Sequence, residues 1–226
     1  MVQEISATMR DYLVEVYRLA ERSSEDGYVS TSSLADLLDV SAPAVNRMVT
    51  RLREMGLLLH EPYQGISLTE SGKREAHLAL RRHRIAKAFL VNVMDFGWHE
   101  VHEEATSMSR GLSEPLLQRM YDMAGKPQFC PHGEPIPEAD GSVMDMHDHL
   151  LAAAETNTPL VITRVLTREA DRLEYIAALG LMPGTTIEVL HIAPFHGPMQ
   201  LKVANEYRII GHNLAELLRV RAASDS

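Results

Sequence analysis

Two groups of residues in this chain could do chemistry. The first is its supply of metal-capable side chains: eleven histidines, twelve methionines and one cysteine, Cys130. A borderline divalent cation takes imidazole, carboxylate and thiolate ligands held on rigid elements. Taken singly, these residues have simpler readings. Methionines mostly fill cores, a free cysteine is as often a buried inert thiol, and His147 and His149 in Met146-His147-Asp148-His149 read as solvated. The second group is the run Ser41-Ala42-Pro43-Ala44 with Arg47 one turn further on. Small residues at the start of a helix let its backbone approach base edges, and a guanidinium one turn later reaches guanine. Arg51, Arg53, Lys73 and Arg74 are candidates for phosphate contacts.

The elements that must position these residues follow from periodicity. Residues 4–22 predict an amphipathic helix carrying Tyr12, Leu13, Val16, Tyr17, Leu19 and Ala20. A short helix is predicted over Thr31 to Leu38, with a turn at Asp39-Val40. Ser41 then caps a second helix with Pro43 in its first turn, where proline is tolerated. That helix runs to about Met55 and stops at Gly56. Its buried stripe is Val45, Met48, Val49 and Leu52. Two strands, Leu57 to Glu61 and Gly65 to Thr69, flank Pro62-Tyr63-Gln64. This order is that of a winged helix-turn-helix, with a helical bundle bearing a hairpin as the plainer alternative. Thr69 caps a long helix to about Met94, and another helix is predicted from about His99 to Met123. Residues 125–142 read as a Pro- and Gly-rich loop, and Asp145 to Glu155 as one more helix. From Pro159 the texture turns to short strands at Leu160 to Ile162, Thr186 to Ile192, Met199 to Val203 and Tyr207 to Ile210. A helix at about Arg168 to Leu179 interrupts them.

The net charge is −9. Spread evenly, that would oppose phosphate binding, so a DNA-binding reading needs the acid gathered elsewhere. No apolar run reaches the ~20 residues of a membrane span, and Met1-Val2-Gln3-Glu4 does not begin a secretory signal. One cysteine makes no internal disulfide. These features predict a cytoplasmic protein. His99-Glu100-Val101-His102-Glu103 is superficially like a zinc-protease motif, but the histidines are three apart and the glutamate is out of frame, so that mechanism does not carry over. No nucleophile elbow, phosphate loop or pair of catalytic carboxylates is present, and no enzyme is expected.

Over nearly its whole length the chain resembles the diphtheria toxin repressor and manganese transport regulator family. The resemblance rests on Val40-Ser41-Ala42-Pro43-Ala44-Val45, Met55-Gly56-Leu57, Ser67-Leu68-Thr69-Glu70-Ser71-Gly72, Arg82-His83-Arg84, Val101-His102-Glu103-Glu104-Ala105 and Cys130-Pro131-His132-Gly133-Glu134-Pro135-Ile136-Pro137. In the C-terminal part it rests on Leu179-Gly180-Leu181, Pro183-Gly184, Gly197-Pro198 and Leu214-Ala215-Glu216-Leu217-Leu218. It implies a mainly α fold with a small β part. The expected regions are a winged helix-turn-helix DNA-binding domain over 1–75, a helical dimerisation and metal-binding domain over 76–150, and an SH3-like, FeoA-like β-barrel over 151–226. It implies a homodimer on a palindromic double-stranded operator, with no membrane partner, acting as a repressor of manganese or iron homeostasis genes.

The resemblance also implies metal ligands. Asp11 stands where manganese-type members carry an aspartate and iron-type members a methionine. His83 and His102 match metal-site histidines on two helices, and Cys130 and His132 match a loop that some members use for a second site. Other positions depart from the pattern. Thr106, Ser109 and Arg110 stand where ligands are usual, Lys87 replaces a carboxylate one turn after His83, and Val14 replaces an acidic residue. Three readings stay open. A metal is held by Asp11, His83, His102, Cys130 and His132, with help from Glu103, Glu104 or Glu169. Metal sensing has been lost, with Arg110 standing in for the cation. Or another signal is sensed, such as oxidation of Cys130. For the first, Mn2+ is expected because a hard oxygen ligand suits it, with Fe2+ and Zn2+ as alternatives. The metal would favour one dimer arrangement with recognition helices one DNA turn, ~34 Å, apart.

Overall fold

The computed structural model describes residues 4–23 and 27–223. It divides into two compact units: the chain up to Arg82 with Pro137–Val143, and His83–Ile136 with the chain from Met144 onward.

The first unit opens with α1 (Ala7–Ser23), whose start is capped by the Ser6 hydroxyl accepting from the Met9 amide at 3.3 Å. Met9, Leu13 and Val16 are buried. At α2 (Thr31–Leu38) the Ser30 hydroxyl accepts from the Ser33 amide at 3.0 Å. Asp39 ends that helix in the left-handed region at φ 50°, which aspartate tolerates better than most residues. The turn delivers Ser41 to the N-cap of α3 (Ala42–Glu54), with Pro43 in its first turn. The hairpin β1 (Leu58–Glu61) and β2 (Gly65–Leu68) follows, antiparallel, with Leu58 opposite Leu68. Val29 bridges to Ile66 across this hairpin. Leu34, Val45, Val49, Leu52 and Ile66 close the core beneath the helices. This is the winged helix-turn-helix. Thr69 does two jobs at the start of α4 (Glu70–Asn92): its hydroxyl accepts from the Gly72 amide at 3.0 Å and donates to the Gly56 carbonyl at 2.8 Å.

In the second unit the helical part holds the end of α4, α5 (Val101–Ser109) and α6 (Glu114–Met123) around Ile85, Leu90, Val101, Leu117 and Met120. The sequence predicts a single helix from about His99 to Met123. The structure breaks it at Arg110–Ser113, where Gly111 gives no helical support, Ser113 is the next N-cap, and Pro115 opens α6. Proline in a first turn starts a helix readily and continues one poorly.

The expected helix over Asp145–Glu155 is instead a short strand, β3 (His149–Leu150), and a 3-10 turn at Leu151–Ala153. The physical reason lies at Asp148. Its carboxylate accepts from Arg164 at 2.7 and 2.9 Å, from Arg219 at 2.6 Å and from the Thr163 hydroxyl at 2.7 Å. That grip draws the segment out alongside the strand that carries Arg219. The remaining elements are β4 (Pro159–Val165), α7 (Ala170–Ala178), β5 (Thr186–Ile192), β6 (Met199–Val203), β7 (Glu206–Ile210), α8 (His212–Ala215) and β8 (Leu218–Ala222). The strands form one six-stranded antiparallel sheet in the order β3-β8-β4-β5-β6-β7, the SH3-like module. Its core includes Ile162, Leu173, Val189, Leu201 and Val220, with Trp98 packed against it. Among the described residues no helix is long and apolar enough to cross a membrane.

Candidate functional site

The first surface of interest is α3. Val45, Val49 and Leu52 are buried, which fixes the helix by its apolar stripe and turns Ser41, Pro43, Asn46, Arg47, Thr50 and Arg51 to solvent, with Ala44 half-buried between. Thr50 back-bonds to the Asn46 carbonyl at 2.9 Å, so its hydroxyl is spent within the helix. Arg47 and Arg51 are exposed one turn apart. At the tip of the hairpin Tyr63 is fully exposed with φ 66°. Gly65 has φ 120°, and a Cβ there would lie 2.4 Å from the Val29 carbonyl oxygen; only glycine lets the wing close on that bridge. A rigid helix with small residues and guanidiniums outward, flanked by a wing, is a shape that enters a DNA major groove.

The five metal-ligand candidates fall into both units. Asp11 lies half-buried on α1 of the first. The other four are in the second. His83 on α4 and His102 on α5 meet edge to face, with ring centroids 5.0 Å apart. Thr106, one turn after His102 on α5, faces His83. Its hydroxyl donates to the His102 carbonyl at 2.9 Å and lies 3.2 Å from His83 Nε2. A hydroxyl has one hydrogen, so at His83 it accepts, and Nε2 carries the proton. The Ser109 hydroxyl is turned to the Thr106 carbonyl at 3.1 Å. Arg110 is exposed at the end of α5. Glu103 and Glu104 are exposed, and Glu169 is ion-paired with Arg172 at 2.8 Å.

Cys130 and His132 lie together in a tight loop, but on different neighbours. The loop is closed by Cys130 N–H to Glu134 O at 2.9 Å and Gly133 N–H to Cys130 O at 2.8 Å, and Val165 N–H to His132 O at 2.9 Å fixes it on β4. Burial pushes the Cys130 thiol up, with the Glu134 carboxylate adding to it, so the group stays a thiol. His132 is pushed down to about 3, first by burial and then by the Lys87 ammonium, so the imidazole is neutral. Its Nδ1 is 3.4 Å from Lys87 Nζ, and its ring lies on Trp98 with centroids 5.0 Å apart. The Lys87 and Trp98 contacts could not be read from spacing. The one available signal was a lysine where the resemblance leads one to expect a carboxylate.

Comparison with known proteins now decides the family. Residues 4–66 match the N-terminal DNA-binding domain of iron-dependent repressors, 69–138 their metal-binding and dimerisation domain, and 149–222 the FeoA domain. A manganese-dependent transcriptional repressor solved with manganese is 31% identical, with 95% of this chain and 99% of that one covered and a TM-score of 0.87. The iron-dependent repressor IdeR of Mycobacterium tuberculosis is 27% identical over 97% of this chain and 99% of its own. The IdeR structure from T. acidophilum is 26% identical over 98% and 100%, with a TM-score of 0.81. The chain belongs to the iron-dependent repressor family.

Members of the iron-dependent repressor family are transcription regulators with DNA-binding and metal-binding dimerisation domains. Among the described residues no three His, Cys, Asp or Glu side chains converge as a cation requires. Thr106 and Ser109 spend their hydroxyls on helix carbonyls, and Arg110 adds a fixed positive charge. His83 and His102 are the two metal-ligand candidates whose rings meet across α4 and α5.

Proposed function

We propose that this protein is a homodimeric DNA-binding transcription repressor whose operator affinity is set by a divalent transition metal, with Mn2+ as the effector and Fe2+ and Zn2+ as the alternatives. The observation that carries the DNA-binding part is the outward face of α3, where Ser41, Pro43, Ala44, Arg47 and Arg51 sit on a helix held from behind by Val45, Val49 and Leu52. In this reading Arg47 reads a base, Arg51 holds phosphate, and the small N-terminal residues set the approach. Two such helices in a two-fold dimer would read a palindromic operator. Region 1–75 would bind DNA, 76–150 would dimerise and hold metal, and 151–226 would be the SH3-like module.

The metal part is supported by the manganese-bound repressor that the chain matches over 95% of its length and by the meeting of His83 and His102. These imidazoles would be nitrogen ligands, and Asp11 would supply a hard oxygen that suits Mn2+. A second reading, DNA binding without metal, is favoured by Thr106, Ser109 and Arg110 in place of ligands. Redox control through Cys130 is disfavoured, because a buried thiol held above its ordinary pKa is a poor nucleophile.

Fluorescence anisotropy on operator-length DNA at fixed salt tests these readings. The titrations are made with chelator, then with Mn2+, Fe2+ and Zn2+. Tightening by tenfold or more with one metal supports metal gating. Tight binding that ignores all three supports the metal-independent reading. No binding under any condition overturns the DNA-binding proposal.

A further inference from the structure

The Cys-Pro-His-Gly loop looks like a metal site in sequence, yet its surroundings are those of a cation already in residence. Lys87 lies on α4 with 3% of its surface exposed. Lysine is almost never buried so deeply without a partner. Its Nζ lies 3.4 Å from His132 Nδ1, so the ammonium donates and Nδ1 accepts. One turn earlier on the same helix Arg84, also buried, donates to the Glu134 carboxylate at 3.0 Å and to the Pro135 carbonyl at 2.7 Å. Two helix cations thus hold one loop through an imidazole, a carboxylate and a backbone carbonyl.

We infer that Lys87, with Arg84 beside it, takes the place of a bound divalent ion at the Cys130–His132 loop, clamping the loop to α4 so that this loop takes no metal in the native protein. Three observations carry it. The Nδ1 lone pair that a metal would use is directed at an ammonium. His132 Nε2 is enclosed, with the ring against Trp98, and no set of three ligands reaches it among the described residues. The loop is also fixed without any ion. Gly133 has φ 82°, and a Cβ there would lie 1.8 Å from the Thr163 carbonyl oxygen, so the backbone is pressed onto β4. A divalent ion entering here would meet a buried like charge in a medium that screens poorly.

The inference concerns this loop alone and does not depend on whether DNA binding answers to metal. The test is a Co2+ titration of the reduced full-length protein, read by thiolate-to-cobalt charge-transfer absorption in the near ultraviolet and by bound metal per chain after equilibrium dialysis. The wild type is expected to give no charge-transfer band, and Cys130→Ser is expected to leave its metal content unchanged. Lys87→Glu, which exchanges the resident cation for a ligand, is expected to gain the band and one further Co2+ per chain, both lost in the double variant with Cys130→Ser. If Lys87→Glu does not fold, Lys87→Met, which keeps the apolar stem without the charge, is read for the same gain. A band in the wild type that Cys130→Ser removes would overturn the inference. So would a folded Lys87 variant that stays blind to cobalt.

Discussion

Arg47 and Arg51 are one turn apart on the same exposed face and have different expected tasks. Replacing a base-reading arginine costs roughly 1–3 kcal/mol and relaxes preference at one base pair, whereas losing a phosphate contact weakens all sequences alike and lowers the salt slope by about 1. Arg47→Ala should therefore lose discrimination between operator and mutated operator, and Arg51→Ala should flatten the plot of log affinity against log salt. Equal behaviour of the two variants in anisotropy would remove this assignment of roles. His132 carries a pH prediction. Its folded pKa is about 3 against an ordinary 6.5, so the unfolded chain takes up the proton first. The stability it contributes is complete above about pH 6.5 and is lost as pH falls toward 3, at up to about 1.4 kcal/mol per pH unit. Urea unfolding followed by Trp98 fluorescence should show this slope, and His132→Asn should be shallower by that amount. Parallel slopes would show that His132 is not buried neutral. At this scale the sequence named the right neighbours only in part. The resemblance matched His83 and His102 to metal-site histidines on two helices, and their rings meet. It matched Cys130 and His132 to a metal-site loop; the ammonium of Lys87, one turn after His83 on α4, lies against His132 Nδ1, and no spacing rule brings residues 87 and 132 together.

At the level of elements, what the sequence made legible were units whose boundaries are marked by local chemistry. Ser30, Ser41 and Thr69 are side chains whose preference for helix starts is local, and α2, α3 and α4 begin beside them. Strands β5 and β6 match the alternation that predicted them. The failures were elements decided at long range. The segment 145–155 has helix-compatible composition, yet Asp148 is bound by Arg164 and Arg219, 16 and 71 residues away, and β3 pairs with β8 at the end of the chain. A tertiary ion pair outweighs a weak local propensity. The Cys130 loop is likewise an element made by a close approach. Gly133→Ala would combine a left-handed φ with a Cβ 1.8 Å from Thr163 O, and a cost of about 1–3 kcal/mol or more is expected from the backbone alone. It should lower the melting temperature and unseat the loop, exposing Cys130 to a thiol reagent. A Cys130 as unreactive in Gly133→Ala as in wild type would mean that Arg84 and Lys87 hold the loop without the backbone fit.

On the scale of the whole molecule, a charge of −9 and a DNA-binding face coexist because charge acts locally within a Debye length, ~8–10 Å at ordinary salt. α3 itself carries Arg47, Arg51 and Arg53 against one acid, Glu54. In the proposed reading two α3 helices related by a two-fold axis read the operator, so function at this scale would depend on the dimer. In α6, Leu117 and Met120 are buried, yet Leu116 and Met123 remain 49% and 55% exposed one face over. They lie in the segment that matches the family's metal-binding and dimerisation domain. Apolar side chains left outward in pairs, on a helix already anchored from behind, are what a subunit interface covers. Leu116→Asp should therefore raise the dimer dissociation constant at least tenfold in sedimentation while leaving helix content and the wing intact. Operator affinity should fall with it, because each monomer keeps a complete α3 but the second half-site contact is no longer intramolecular. A variant that stays dimeric at micromolar concentration would place the interface elsewhere. One that becomes monomeric yet binds the full operator undiminished would show that a single recognition helix suffices.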